Sequence, residues 1–176
     1  IMMAAHIDEI GIMATYVDDK GFIRFSSLGW VSQYFALGQK VRFKNGTTGA
    51  VFYEEKLDDM KDLKLSRMYI DIGAKNREEA EKKVKIGDTA CFVGDAVQAG
   101  DMIISKALDN RSGCAVLIKA IQNLPPTDNE LYFVFTVQEE LGLRGARTAA
   151  YQLQPDMAIA IDVTDTGDMP ECHTMA

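Results

Sequence analysis

Residues 131–162 read "LYFVFTVQEELGLRGARTAAYQLQPDMAIAID" and contain two apolar runs joined by a helix-like segment. The runs at 131–137 and 157–161 carry no charged residue, which is typical of strands buried on both faces of a parallel sheet. The segment between them is compatible with a short helix that ends before Pro155. This strand–helix–strand order predicts an α/β fold with a mostly parallel sheet in a layered domain.

Two more segments extend this pattern towards the start of the chain. The run "IMMAA" at 1–5 predicts a third buried strand. The stretch "NRSGCAVLIKAIQNL" at 110–124 predicts a helix, ended by Pro125 and Pro126. Its apolar residues at helical spacing are Val116, Leu117, Ala120, Ile121 and Leu124. We assign residues 1–12 and 104–176 to the α/β domain.

Residues 13–103 have a different pattern, dominated by short alternating runs and turn signals. Gly21 lies in a predicted hairpin turn, and Asn45–Gly46 between two alternating runs is a strong hairpin signal. The stretch at 83–93 predicts another strand. One short helix is predicted at 76–84, with Asn76 as its cap and Glu79 three residues on. These features predict a small, barrel-like, β-rich domain inserted into the α/β domain.

Composition restricts the class of protein. The 176 residues are 47% hydrophobic and 26% charged, as in soluble globular proteins. The net charge of −7 argues against nucleic-acid and membrane-surface partners. The cysteines Cys91, Cys114 and Cys172 form no C-x-x-C pair, so we expect neither a disulfide framework nor a cysteine zinc site, and a cytoplasmic location.

The two ends of the sequence lack closing elements. The chain opens directly on the apolar run "IMMAAH" and stops after "PECHTMA". From these two ends we expect an internal piece of a longer polypeptide.

No apolar stretch approaches the roughly 20 residues that span a bilayer.

Candidate ligands for a divalent cation follow the predicted strands. In open α/β sheets, ligands bind outside the carboxyl ends of the strands. The polar groups at these ends, together with one at the turn before the first helix, are His6, Asp8, Glu139, Glu140, Asp162 and Asp109. A mixture of imidazole nitrogen and carboxylate oxygen suits zinc, cobalt or manganese.

The adjacent carboxylates Glu139 and Glu140 need a positive partner, because like charges disfavour each other's ionised form. A bound metal supplies it: one glutamate binds the metal while its neighbour accepts a proton from water. In the same scheme, Asp8 accepts the second ring N–H of His6 and fixes its tautomer.

Each candidate also has a structural interpretation without a ligand. His6 fits a satisfied histidine at a strand end, and the glutamate pair fits a solvated acidic loop. Asp109 fits a helix N-cap, and Asp162 fits a turn residue. We assign no role to the remaining polar residues near these motifs, which are Glu9, Asp165, Asp168 and His173.

Four motifs in order give the sequence a family resemblance. Taken together, "AAHIDEIGIMA", "ALDNRSGCAVLIKAI", "VQEELGLRGARTAA" and "AIAIDVTDTGDMP" resemble the tetrahedral (TET) aminopeptidases. That family includes glutamyl and deblocking aminopeptidases, and some members are named endoglucanases. The resemblance runs through essentially all of the chain, including the inserted domain.

The resemblance implies a dinuclear metallo-aminopeptidase acting on peptides, with zinc or cobalt as its two divalent ions. Asp109 would bridge the ions, His6 and Asp162 would complete one site, and Glu140 would serve the other. Glu139 would be the general base, with Asp8 orienting His6. The inserted domain would form dimers that assemble into a tetrahedral dodecamer.

The chain departs from the family pattern at both ends. The family's last metal histidine lies downstream and has no counterpart here, and the helical segment before the first strand is absent. We therefore expect residues 1–176 alone to be inactive. The alternatives are another metal-dependent enzyme such as a deacetylase, a metal-free glycosidase with two carboxylates, and a non-catalytic assembly module.

Overall fold

The computed structural model of the chain describes residues 1–54, 59–168 and 170. The strands are β1 (Met2–His6), β2 (Gly11–Val17), β3 (Ile23–Leu28), β4 (Lys40–Phe43), β5 (Thr48–Tyr53), β6 (Met68–Asp71), β7 (Thr89–Phe92), β8 (Val97–Ala99), β9 (Met102–Ile104), β10 (Tyr132–Thr136) and β11 (Ala158–Ala160). The helices are α1 (Gln33–Ala36), α2 (Arg77–Lys83), α3 (Leu108–Gln122) and α4 (Arg144–Leu153), with short 3₁₀ turns at Met60–Asp62 and Leu65–Arg67.

The chain divides into two compact units. Residues 9–106 form one unit, and residues 1–8 together with those from 107 onward form the other. The division falls at 8/9 and 106/107, whereas the sequence placed it at 12/13 and 103/104. Cys172 and His173 lie outside the described residues.

The α/β unit contains a three-stranded parallel sheet in the order β10–β1–β11. Strand β1 lies in the middle, with Ala4 paired to Val134 on one side and to Ala160 on the other. Helix α3 packs on β1, where Cys114 and Leu117 are buried with Ala5. Helix α4 packs on β10. The predicted strands at 1–5, 131–137 and 157–161 and both predicted helices are confirmed.

The predicted burial of two of these strands is wrong. All three residues of β11 are exposed, including Ile159 at 45%, and β10 is mostly half-buried. These strands are the outer members of a three-stranded sheet, so each has a neighbour on one side. Only β1, in the middle, has the burial expected of a strand covered on both faces.

The apolar residues at helical spacing on α3 are only partly buried. Val116, Ile121 and Leu124 are 43–55% exposed, while Gly113 and Leu117 are buried. Cys114 and Leu117 pack with Ala5 of β1, and the sequence carries apolar residues on more than this one face.

The inserted unit contains a closed six-stranded barrel in the order β2–β3–β6–β5–β4–β7. Its alternating inward side chains fill the interior; those with no exposed surface include Ile12, Val41, Val51 and Ile70. The predicted hairpins at Gly21 and Asn45–Gly46 are confirmed as β2–β3 and β4–β5, with Gly21 and Gly46 both at φ 90°.

The short helix of the inserted unit is also confirmed. The side chain of Asn76 caps α2 by accepting from the amide of Glu79 at 2.9 Å. Ala80 and Val84 bury this segment in the barrel core. Within residues 1–54, 59–168 and 170, no helix is long and apolar enough to cross a bilayer.

Candidate metal centre

The imidazole of His6 is buried at the end of β1 and points into a group of carboxylates. The side chain is 2% exposed, and its Nε2 atom lies 3.0 Å from Oδ1 of Asp109. The same nitrogen lies 3.7 Å from Oε2 of Glu139 and 3.9 Å from Oδ1 of Asp162. One nitrogen and three carboxylates from distant chain segments thus meet at one place.

The register of the parallel sheet explains why the segments that carry Glu139 and Asp162 lie beside His6. His6 pairs with Thr136, so the chain that leaves β10 passes beside the imidazole. Ala4 pairs with Ala160, which brings Asp162, two residues further on, level with His6. Parallel pairing therefore delivers three polar strand ends to one edge of the sheet.

A tight turn after β10 folds the acidic pair back over the strand end. The backbone carbonyl of Glu139 accepts from the amides of Gly142 and Leu143 at 2.8 and 2.9 Å. Gly145 then enters α4 directly against the backbone of Val137. A Cβ atom at Gly145 would lie 2.3 Å from the Val137 carbonyl oxygen, so only glycine fits without a shift.

Asp8 contacts both the histidine and the acidic pair. Its Oδ1 accepts from the amide of Glu139 at 3.2 Å, and its Oδ2 accepts from the amide of Glu140 at 3.3 Å. Its backbone carbonyl lies 3.2 Å from Nδ1 of His6, and its Oδ1 lies 3.5 Å from the same nitrogen. A neutral His6 that donates from Nδ1 to this carbonyl presents the lone pair of Nε2 to the carboxylates.

The clustering perturbs two pKa values. Burial alone lowers the pKa of His6, but the nearby carboxylates outweigh it and leave the pKa raised. Those carboxylates, in decreasing order of effect, are Glu139, Asp162 and Asp109. Burial, followed by the negative charges of Asp109 and Glu139, raises the pKa of Glu140. Both shifts favour binding a proton, which is the response of a site that lacks enough positive charge.

Asp109 is not the N-cap of α3. The cap position is Ala107, which has a left-handed φ of 57° and gives no side-chain cap. Asp109 and Asn110 have non-helical backbone angles, and the Asp109 carboxylate is free to face His6. The N-cap interpretation of Asp109 is therefore wrong.

Sequence reasoning missed Asn110. This side chain has no exposed surface. Its amide nitrogen donates to the carbonyl of Ile161 at 2.7 Å, and its amide oxygen accepts from the backbone of Gly113 at 3.2 Å. The only hint in the sequence is an asparagine beside a candidate ligand, with a glycine three residues on.

The donor set fits a divalent cation. Two groups, each with ligand atoms within 4.8 Å of one another, share His6: one adds Asp109 and Asp162, the other Glu139 and Glu140. Among the described residues, no lysine or arginine forms an ion pair with these four carboxylates. An imidazole lone pair that faces carboxylate oxygens is stable only with a proton or a cation between them. A set of one nitrogen and several oxygen ligands suits zinc, cobalt and manganese.

Comparison with known proteins identifies the family. The profile of the M42 glutamyl aminopeptidases matches residues 1–176, and the chain belongs to this family. A protein of Acetivibrio thermocellus, for which aminopeptidase activity is proposed by name, is 71% identical over 175 residues. The match covers 99% of this chain and 53% of that protein.

Solved structures of similar proteins have the same fold. The aminopeptidase APDkam598 of the archaeon Desulfurococcus kamchatkensis is 38% identical, with a TM-score of 0.91. The match covers 98% of this chain and 50% of the APDkam598 chain. The TET1 peptidase of Pyrococcus horikoshii, which can assemble into a tetrahedron or a large octahedral shell, is 33% identical. The TM-score is 0.82, and the match covers 96% of this chain and 56% of the TET1 chain. The chain thus spans about half the length of the relatives it matches.

Proposed function

We propose that the full-length protein is a dinuclear, metal-dependent aminopeptidase that removes N-terminal residues from peptides. The observation that carries this proposal is the buried imidazole of His6, whose Nε2 faces Asp109, Glu139 and Asp162 with the spacing of metal ligands. Membership of the M42 family supports the reaction class. The exposed apolar residues of β11 support a larger, layered α/β domain in the full-length protein.

Four side chains are proposed to hold the two ions, which we expect to be zinc or cobalt. These metal ligands are His6, Asp109, Glu140 and Asp162. The role of Asp109 as a ligand rests on the family resemblance, and its proximity to Nε2 of His6 supports it. The imidazole of His6 and the four carboxylates of the two candidate groups outnumber the ligands of one four-coordinate ion, which supports a site for a second ion.

The remaining acidic side chains have roles in proton transfer and positioning. When bound, the metal ions polarise the scissile carbonyl and lower the pKa of water. Glu139 accepts the proton of the attacking water at a carboxylate oxygen, as a general base within reach of the same site. Asp8 fixes the tautomer of His6 through its backbone carbonyl and holds the amides of Glu139 and Glu140.

The inserted barrel unit is proposed to mediate dimers, which assemble further into a tetrahedral dodecamer. The assembly of the similar TET1 peptidase of Pyrococcus horikoshii supports this proposal. The acidic composition supports a protein with neither nucleic-acid nor membrane partners. The scattered cysteines support a cytoplasmic location.

Chelation of the full-length protein tests the proposed activity. We expect hydrolysis of aminoacyl p-nitroanilides that is lost in EDTA and restored by zinc or cobalt. Residues 1–176 alone should stay inactive with added cobalt. Cleavage of a soluble cellulose derivative that persists in EDTA would instead indicate a glycosidase, and absence of metal binding in calorimetry would indicate an assembly module.

A further inference from the structure

The side chain of Asn110 connects the backbone segments that carry two of the proposed metal ligands. Asn110 directly follows Asp109 in the chain, and its amide nitrogen donates to the carbonyl of Ile161, the residue directly before Asp162. The two segments are 51 residues apart in sequence. One buried amide group therefore links the backbone segments that carry Asp109 and Asp162.

The ligand side chains are more exposed to solvent than the amide group that makes this connection. The carboxylate side chains of Asp109 and Asp162 are 60% and 48% exposed, whereas Asn110 has no exposed surface. Asp109 contacts Nε2 of His6, and Asp162 accepts from the amide of its neighbour Val163. Because these side chains are short, the positions of both carboxylates depend on how well their backbone is held. The buried hydrogen bond of Asn110 supplies that restraint.

Both ends of the Asn110 amide are satisfied, which sets its orientation. The oxygen accepts from the backbone of Gly113 in the first turn of α3, and this assigns the nitrogen to Ile161. A Cβ atom at Gly113 would lie 2.3 Å from the Asn110 oxygen and 3.1 Å from the Ile161 carbonyl oxygen. The absence of a side chain at position 113 therefore leaves the space that the amide occupies.

We propose that Asn110 is a positioning residue that holds Asp109 and Asp162 at the separation that metal binding requires. This inference rests on the proposed function, because it concerns the ligands of that metal site. Groups that orient metal ligands typically contribute 10- to 100-fold to metal affinity. Loss of the Asn110 amide should therefore weaken metal binding by about 10- to 100-fold.

Cobalt titration of the metal-free, full-length protein tests the proposal. Asn110→Ala should bind Co²⁺ about 10- to 100-fold more weakly in isothermal calorimetry, below the unfolding temperature of the metal-free variant. Asn123→Ala is the matched control. Its side chain also donates to a backbone carbonyl, that of Lys119 at 2.7 Å, but it is exposed at the far end of α3. This control should bind Co²⁺ as the wild type does.

The outcomes separate the inference from the proposed function. A wild-type protein that binds no Co²⁺ would overturn the metal site itself. A wild type that binds, with Asn110→Ala within about twofold of it, would overturn the inference alone, even if the variant unfolds at a lower temperature. Asn110→Leu conserves the volume of the side chain without its hydrogen bonds, and should show the same loss of affinity. If both variants fail to fold without metal, Asn110 has a structural role only, and the inference is wrong.

Discussion

Replacing Asp8 by asparagine should loosen the acidic turn after β10. Asp8 uses both of its oxygens there, Oδ1 for the amide of Glu139 and Oδ2 for the amide of Glu140. Asparagine has one acceptor oxygen, and its NH₂ group would face the other amide N–H. One of the two amides must therefore lose its hydrogen bond.

The expected cost follows from the geometry. Leaving a buried donor without its acceptor costs about 1–3 kcal/mol. The two bonds are 3.2 and 3.3 Å long and partly buried, so we expect the lower part of that range, about 1–2 kcal/mol. This corresponds to roughly 5- to 30-fold faster hydrogen exchange at the amides of Glu139 and Glu140. Exchange is measured by mass spectrometry on the full-length protein in EDTA.

Asp18 provides the matched control in the barrel unit. It also accepts from two amides, those of Lys20 and Phe22 at 2.9 Å, but both bonds end on the single oxygen Oδ1. Asparagine retains that acceptor, so Asp18→Asn should change local stability by less than about 0.5 kcal/mol. Equal acceleration of exchange in the two variants, each at its own turn, would refute the reasoning.

Three further predictions concern the same unit. Glu139→Gln should retain bound metal and lose about 10²- to 10⁴-fold in kcat, whereas Glu140→Gln should lose metal. Metal analysis together with kinetics checks both variants. Full turnover in Glu139→Gln would contradict the role of Glu139 as general base. The raised pKa values of His6 and Glu140 mean that the metal-free protein gains stability from protons bound at low pH. It loses the contribution of Glu140 as the pH rises above about 4.5, and that of His6 as the pH rises above about 6.5. Because metal replaces those protons, the increase in Tm caused by zinc should be larger at pH 8 than at pH 6. Calorimetry in buffers of different ionisation enthalpy should detect the release of protons when zinc binds. An increase in Tm that does not depend on pH would contradict this replacement of protons by metal. Gly145→Ala should destabilise the α/β unit by about 1–3 kcal/mol in urea unfolding, whereas Gly94→Ala, where a Cβ meets nothing nearer than 3.5 Å, should not.

The meeting of three strand ends was predictable from the sequence. Uncharged runs indicate parallel strands, and parallel strands bring their carboxyl ends to one edge of the sheet. That geometry alone places His6, Glu139 and Asp162 near one another. The turn residues of the barrel unit were predictable for a similar reason, because Asn45–Gly46 favours one local conformation whatever surrounds it.

The parts that were missed depend on tertiary contacts. The N-cap interpretation of Asp109 follows from local preference, yet the backbone at Asp109 and Asn110 adopts non-helical angles. The buried hydrogen bond of Asn110 joins residues 51 apart, and no local pattern encodes it. Helical spacing also does not tell which apolar residues of α3 are buried. Leu117 is buried near Gly113 and Cys114, whereas Val116 is exposed.

The position of β1 in the middle of its sheet has a consequence for biosynthesis. Its two neighbours, β10 and β11, emerge from the ribosome only after residues 9–106 have been made. At about 5–20 residues per second, Met2–His6 waits roughly 6–25 s for its first partner strand. The barrel strands all lie within the intervening segment, so that unit can close while the nascent "MMAAH" segment is still unpaired. This short apolar segment therefore pairs only after the barrel unit has had time to fold.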